Sequence, residues 1–212
     1  MPVVSRTPAP WASPPAAEAR GERVIGIAAS TGGPAVLARI LAALPADFPI
    51  PVLVVQHIAQ GFEGGLVHWL AGETPLRVKL ASDGDALLGG HVFIAPDGRH
   101  MGVVGGRIRL WDGPPVRGFR PSGTVLFESL ATACGAGAAG LVLSGMGDDG
   151  AEGLGALRAR GAWTAAQGPA TSVIFGMPRA AIERGAAAET LELDDLAPAL
   201  LRFARRAEAV AR

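Results

Sequence analysis

Three side chains that together could attack a carbonyl stand at three matching places in the chain. Ser30 closes the run V-I-G-I-A-A-S and opens T-G-G-P; His57 closes V-L-V-V-Q-H; Asp149 stands in S-G-M-G-D-D-G-A. Each follows a short apolar run of the kind that forms a buried strand. In an open α/β sheet, residues just beyond the strands' C-terminal ends converge on one edge, where ligands bind. A serine, a histidine and a carboxylate meeting there are the material of a nucleophilic triad. The histidine takes the serine proton, and the aspartate fixes the imidazole tautomer and stabilises the imidazolium. Each residue also has a plainer role. Ser30 can cap a helix, and a glycine-rich helix start suits a phosphate as well as an oxyanion. His57 can be structural, and Asp148 and Asp149 can form a turn and cap the next helix. Three such accidents at three strand ends are less expected than one constellation. Its chain order, Ser, His, Asp, differs from that of α/β-hydrolases, and G-x-S-x-G is absent around Ser30.

The elements that must position these residues follow from the apolar pattern. Strands are expected at residues 24–28, 52–55, 77–80, 91–95, 140–143 and 162–166, with a short one ending at Leu191. Helices are expected at 35–44, with Pro34 in the first turn, and at 62–70, 151–160, 178–184 and 196–209. Ser122 or Thr124 caps a further helix running to about Cys134, and Asp194 or Asp195 caps the last. Residues 101–104 and 108–111, joined by Gly105-Gly106, read as a hairpin, followed by an arginine-bearing loop at 112–121. Strands alternating with helices predict an α/β fold, a doubly wound, mostly parallel sheet flanked by helices with an inserted β-hairpin. Residues 1–21, rich in Pro and Ala, are expected to form a disordered leader or linker remnant, and 22–212 the catalytic domain.

Composition narrows the class. With 212 residues, 49% hydrophobic, the chain is long enough to bury the core of one α/β domain. Nineteen basic and 19 acidic residues leave a formal net charge of zero, so nothing draws it globally to nucleic acid or an anionic membrane. The single cysteine, Cys134, excludes an internal disulfide and a multi-cysteine zinc site, and reads as buried packing. The histidines lack ligand spacing, so no metal or cofactor is expected. No apolar run approaches a bilayer span and no signal-peptide pattern opens the chain, which predicts a cytoplasmic protein without direct membrane insertion.

Six stretches carry a resemblance: IGIAASTGGP (25–34), VVQHI (54–58), GGHVFIAPDGRHM (89–101), RPSGTVLFESLA (120–131), LVLSGMGDDGAEG (141–153) and QGPATSVIFGMPRAAI (167–182). In this order and spacing the chain resembles the catalytic domain of the chemotaxis protein-glutamate methylesterases (CheB-type) from about residue 24 to 205. The resemblance implies that Ser30 is the nucleophile and His57 the base. The aspartate immediately before Gly completes the triad, which selects Asp149 over Asp148. It implies a substrate, the γ-glutamyl methyl ester on the cytoplasmic helices of a chemoreceptor, from which methanol is released. Glutamine deamidation of the same sites is a second activity open to the same machinery. Backbone N–H groups would hold the oxyanion. Thr31 is the first candidate, since the amide after a nucleophile at a helix start points inward; Met146 follows from the resemblance.

Two departures stand out. The family commonly has R-P-S-V-D where this chain has R-P-S-G-T, and an acidic pair where it has Gly168-Pro169. Neither replaces a triad residue, so both are expected to bear on substrate selection or the cleft edge. His100 matches a cleft-side position but equally suits a structural role. Arg99, Arg117 and Arg120 either steer an acidic receptor helix or lie on a solvated loop. Family members usually carry an N-terminal phosphoacceptor receiver domain, and about twenty residues before the first strand are too few for one. The chain is expected to act alone, under a separate regulatory protein, or as a piece of a larger polypeptide. Two competing classes remain: a nucleotide- or phosphate-binding module, disfavoured by the lack of G-x-G-x-x-G and G-K-[ST], and a catalytically silent receptor-binding protein.

Overall fold

The computed structural model describes residues 22–208, so the expected leader at 1–21 lies outside the described residues. Nine strands and six α-helices alternate among the described residues: β1 (Val24–Ala29), α1 (Gly33–Ala42), β2 (Val52–Gln56), α2 (Glu63–Glu73), β3 (Arg77–Leu80), β4 (His91–Ile94), β5 (His100–Val104), β6 (Arg107–Trp111), α3 (Gly123–Ala133), β7 (Ala138–Val142), α4 (Ala151–Ala159), β8 (Trp163–Gln167), α5 (Met177–Glu183), β9 (Glu189–Leu191) and α6 (Leu193–Glu208). Seven strands form one sheet in the order β3-β4-β2-β1-β7-β8-β9, every neighbouring pair parallel. The inserted hairpin β5-β6 is antiparallel and stands apart from that sheet.

Alternation along the strands divides the core in two. Ile25, Ile27 and Ala29 of β1 pack with Leu37 and Leu41 of α1, Leu70 of α2 and Leu200 of α6. Val24 and Ala28 face the other way, toward Phe127 and Leu130 of α3 and Leu154 of α4. Both faces are covered, so the central strands read as near-continuous apolar runs. On the α3–α4 face the helices come close because two strand residues lack a side chain. A Cβ on Gly26 would stand 2.7 Å from Leu130 and one on Gly140 2.6 Å from Leu154. The hairpin packs on the outer side of α3, where the Ser129 hydroxyl bonds both the N–H and the carbonyl of Val103.

Two helix starts differ from expectation. α6 begins at Leu193, so Asp194 and Asp195 lie in its first turn rather than capping it, complementing the positive helix end. Ser122 does hold the cap position of α3, but its hydroxyl makes no capping bond there. A carboxylate from a distant loop takes that place.

The connections place the site. The chain leaves β1 for α1 on one face, and leaves its neighbour β7 for α4 on the other. That divergence opens a crevice at the C-terminal edge between β1 and β7, where a doubly wound sheet binds its ligand.

Candidate active site

Ser30, His57 and Asp149 lie beyond the C-terminal ends of β1, β2 and β7, three adjacent strands. Their backbones are fixed before any side chain acts. The Ser30 N–H donates to the Ser144 carbonyl at 3.0 Å, and the His57 N–H to the Ala29 carbonyl at 2.9 Å. Gln56, buried at the end of β2, donates from Nε2 to the carbonyls of both Ser30 (2.8 Å) and His57 (2.9 Å). Gly33 is glycine because the Gln56 amide oxygen fills the space of its Cβ, at 2.3 Å.

Asp149 is wholly buried and receives four donors. Oδ1 accepts from the Ser122 hydroxyl (2.6 Å) and the Thr124 N–H (3.1 Å). Oδ2 accepts from the Gly123 N–H (2.7 Å) and from His57 Nε2 (2.9 Å). Two of these donors are the first amides of α3, so this carboxylate is the helix's cap and lies at its positive end. Burial alone would push the Asp149 pKa up. The bonds from His57, Ser122 and Gly123 outweigh it and hold the pKa down at about 2. An ionised carboxylate only accepts, so His57 Nε2 carries the proton and Nδ1 is left as the basic nitrogen. Nδ1 is buried and has no partner among the described residues, and no hydrogen bond closes between it and Ser30 Oγ. Such contacts commonly tighten only when substrate is bound.

The neighbouring carboxylate has a different life. Asp148 is partly exposed and pairs with Arg117 (2.8 Å) and Arg184 (2.9 Å). The structure thus brings Asp149, not Asp148, to His57.

On the serine side the donors are free. The N–H groups of Thr31 and Met146 have no partner among the described residues. Gly145, before Met146, lies so close to Ser30 that a Cβ there would be 2.7 Å from the serine Cβ. Met146 and Val173 are exposed beside the serine loop, Ile58 and Phe62 beyond the histidine. An open cleft of about 370 Å³ lies on the histidine side, walled by Gln56, His57, Glu63 and Phe119 among others.

The two departures from the expected motifs have physical explanations, one of which corrects the reading above. Gly123 and Thr124 are not at the cleft edge: both amides bind Asp149, and the Thr124 hydroxyl accepts from the Gly150 N–H at 2.9 Å. A Cβ on Gly123 would lie 2.5 Å from that of Ala28. At the second departure the Glu192 carboxylate occupies the space beside Gly168, where a Cβ would be 2.1 Å from Oε1. Glu192 ties down the loop by accepting from the Thr171 N–H (3.0 Å) and hydroxyl (2.7 Å).

The remaining candidates have local partners. His100 is buried with Nε2 against the Pro114 carbonyl at 3.0 Å, and burial lowers its pKa. Burial pushes the Cys134 thiol up to about 12, which keeps it protonated. Arg99 binds Asp112 and the Leu110 carbonyl, Arg117 binds Asp148 and Glu152, and Arg120 binds the Gly113 carbonyl. Sequence reasoning did not single out Gln56, Ser122 as an Asp149 donor, or Phe119, whose ring stacks on His57. Gln56 alone left a signal, an amide at the end of an otherwise apolar strand.

Residues 25–200 match the family model described as CheB methylesterase. A protein-glutamate methylesterase/protein-glutamine glutaminase 3 of Anaeromyxobacter dehalogenans is 51% identical over 207 residues, 97% of this chain and 60% of the relative. The protein-glutamate methylesterase FrzG of Myxococcus xanthus is 47% identical over 182 residues, 85% of this chain and 54% of the relative. The chain spans between 50% and 60% of the length of these and similar relatives. The crystal structure of the Thermotoga maritima CheB methylesterase catalytic domain superposes with a TM-score of 0.82 at 32% identity, covering 86% of this chain and 98% of that one.

Proposed function

The chain belongs to the CheB methylesterase family, and on that premise we propose that it hydrolyses γ-glutamyl methyl esters on the cytoplasmic helices of a chemoreceptor. The observation that carries this reading is the His57–Asp149 bond, which commits one ring nitrogen to a buried carboxylate and leaves the other without a partner among the described residues.

Ser30 Oγ attacks the ester carbonyl while its proton passes to His57 Nδ1. The carbonyl oxygen becomes an oxyanion, received by the free N–H groups of Thr31 and Met146; one such donor contributes roughly 3–4 kcal/mol to lowering a barrier of this kind. Collapse of the intermediate breaks the C–O bond to the methoxy group, which takes the proton from His57 and leaves as methanol. Water then attacks the glutamyl-serine ester by the same route, releasing the glutamate carboxylate and restoring Ser30. Attack on a glutamine amide follows the same steps with ammonia as the leaving group, which fits the glutaminase half of the relatives' names. The exposed apolar side chains Met146, Val173, Ile58 and Phe62 suit the apolar side chains of a helical protein substrate. No helix among the described residues is long and apolar enough to cross a membrane.

An anion-binding module would use the same free amides. The ionised Asp149 within the site opposes that reading, which predicts heat on titration with NAD or ATP. The proposal is tested by methanol release from methylated receptor by wild type and Ser30→Ala. Release by wild type and none by the variant is expected; undiminished release by folded Ser30→Ala overturns the nucleophile. Labelling of Ser30 by a serine-reactive fluorophosphonate separates an active enzyme from a silent receptor-binding protein.

A further inference from the structure

The loop after β6 reaches back over the site. Its tip is a two-residue turn in which Val116 and Phe119 bond each other in both directions, at 3.0 and 2.9 Å. The turn residues Arg117 and Gly118 have φ of 53° and 85°, the geometry of a type I′ hairpin. Arg117 is the only non-glycine residue with positive φ among the described residues. Turns of this type favour Asn or Gly at that position, and a long side chain there is strained. What holds it is its guanidinium, which bridges Asp148 (2.8 Å) and Glu152 (2.9 Å) on the segment that carries Asp149. Two residues on, the Phe119 ring lies flat on the His57 imidazole, centroids 3.8 Å apart and planes 1° from parallel.

We propose that this turn is a positioning device for the catalytic histidine, in which Arg117 clamps the turn to the Asp149 segment and Phe119 fixes the plane of the His57 ring. Asp149 holds one atom of that ring and leaves it free to rock about the bond. A flat aromatic face on the ring removes this freedom and keeps Nδ1 aimed toward Ser30. It also covers one face of the imidazole against water, which strengthens the bond to Asp149. Phe119 belongs to neither core cluster, so its place is not explained by packing of the fold. Arg117, with no substrate role, acts through Phe119.

The inference rests on the methylesterase reading for its kinetic test but not for its spectroscopic one. Methanol release should show kcat of Phe119→Ala and Phe119→Leu reduced about 10- to 100-fold with KM within about twofold, while Phe119→Tyr retains near-native kcat. Arg117→Asn, which suits the turn and removes the clamp, should lower kcat several-fold alone and add nothing in a Phe119→Ala background. Rescue by Leu equal to that by Tyr, a change in KM instead of kcat, or additive effects of the two sites would overturn the proposal. Independently of turnover, nitrogen NMR of the His57 ring should show the proton on Nε2 throughout, with ring signals narrow in wild type and Phe119→Tyr and broadened by ring motion in Phe119→Leu. Ring signals as narrow in Phe119→Leu as in wild type count against the proposal even if no substrate is turned over. Active wild type, inactive Ser30→Ala and fully active Phe119→Ala would remove this inference and leave the functional reading standing.

Discussion

The aspartate end and the serine end of the site are built on opposite plans. Around Asp149 four donors converge on two oxygens in a fully buried position. Around Ser30 the hydroxyl, the Thr31 and Met146 amides and the facing His57 nitrogen have no partner among the described residues. Buried polar groups are ordinarily satisfied, and leaving one unpaired costs about 1–3 kcal/mol. His57 Nδ1 is buried and carries that cost; Thr31 and Met146 are exposed, and their amides stay open. The lesson is a division of labour: the groups that must not move are saturated by the fold, and the groups a substrate would engage are left open.

Substitutions can break that contrast at either end. The largest effect is expected at the open end. Ser30→Ala should lower kcat by a factor of about 10⁴–10⁶ while leaving the melting temperature within a degree or two, because the serine hydroxyl holds nothing in place. At the saturated end, Asp149→Asn should reduce kcat by about 10⁴ and also destabilise the fold by about 1–3 kcal/mol, since it turns an NH2 donor toward groups that are themselves donors. Asp148→Asn, at the adjacent position, should cost no more than several-fold in kcat. Equal losses at the two positions in folded protein would erase the distinction between buried carboxylate and surface ion pair.

Smaller effects sharpen it. Gly123→Ala should destabilise by about 1–3 kcal/mol through contact with Ala28, read by chemical denaturation, and lower kcat by pulling its amide from Asp149. Smallest is the pH dependence of stability. The Asp149 pKa is depressed in the folded protein from 3.8 to about 2. The stability it contributes is therefore complete above pH 3.8 and lost as pH falls toward about 2. The stability gap between wild type and Asp149→Asn, measured by denaturant melts, should be constant near pH 6 and narrow below pH 4. A gap that widens on acidification would mean that the carboxylate is not held in its charged form.

How much of this could be read from the chain depends on the range of the physics involved. Ser30, His57 and Asp149 were legible because each follows an apolar run, and runs of that kind reveal strand ends locally. Even the choice between Asp148 and Asp149 needed only the motif. The cap of α3 was not legible, because the acceptor side chain expected at Ser122 or Thr124 is replaced by a carboxylate 27 residues beyond Ser122. For the same reason Gly123 and Thr124 read as cleft-edge changes when they are ligands of Asp149. Phe119 left no local mark, because its stacking partner His57 follows β2, far earlier in the chain. The start of α6 slipped by a few residues because Asp194 and Asp195 serve a first helical turn as well as they serve a cap.

The three site positions stand at the ends of β2, β1 and β7, immediate neighbours in the sheet. The strands that anchor the serine and the histidine are therefore one step of the hydrogen-bond ladder apart, about 4.8 Å, and the carboxylate reaches across from the loop after β7 to bond His57 at 2.9 Å. A ruler made of backbone is indifferent to which apolar side chains coat it. Core residues on either face can be exchanged for others of similar volume while the interval from nucleophile to histidine stays the same. The chemistry then rests on a handful of residues at the strand ends, and exchanges of similar volume among the core side chains should leave it intact.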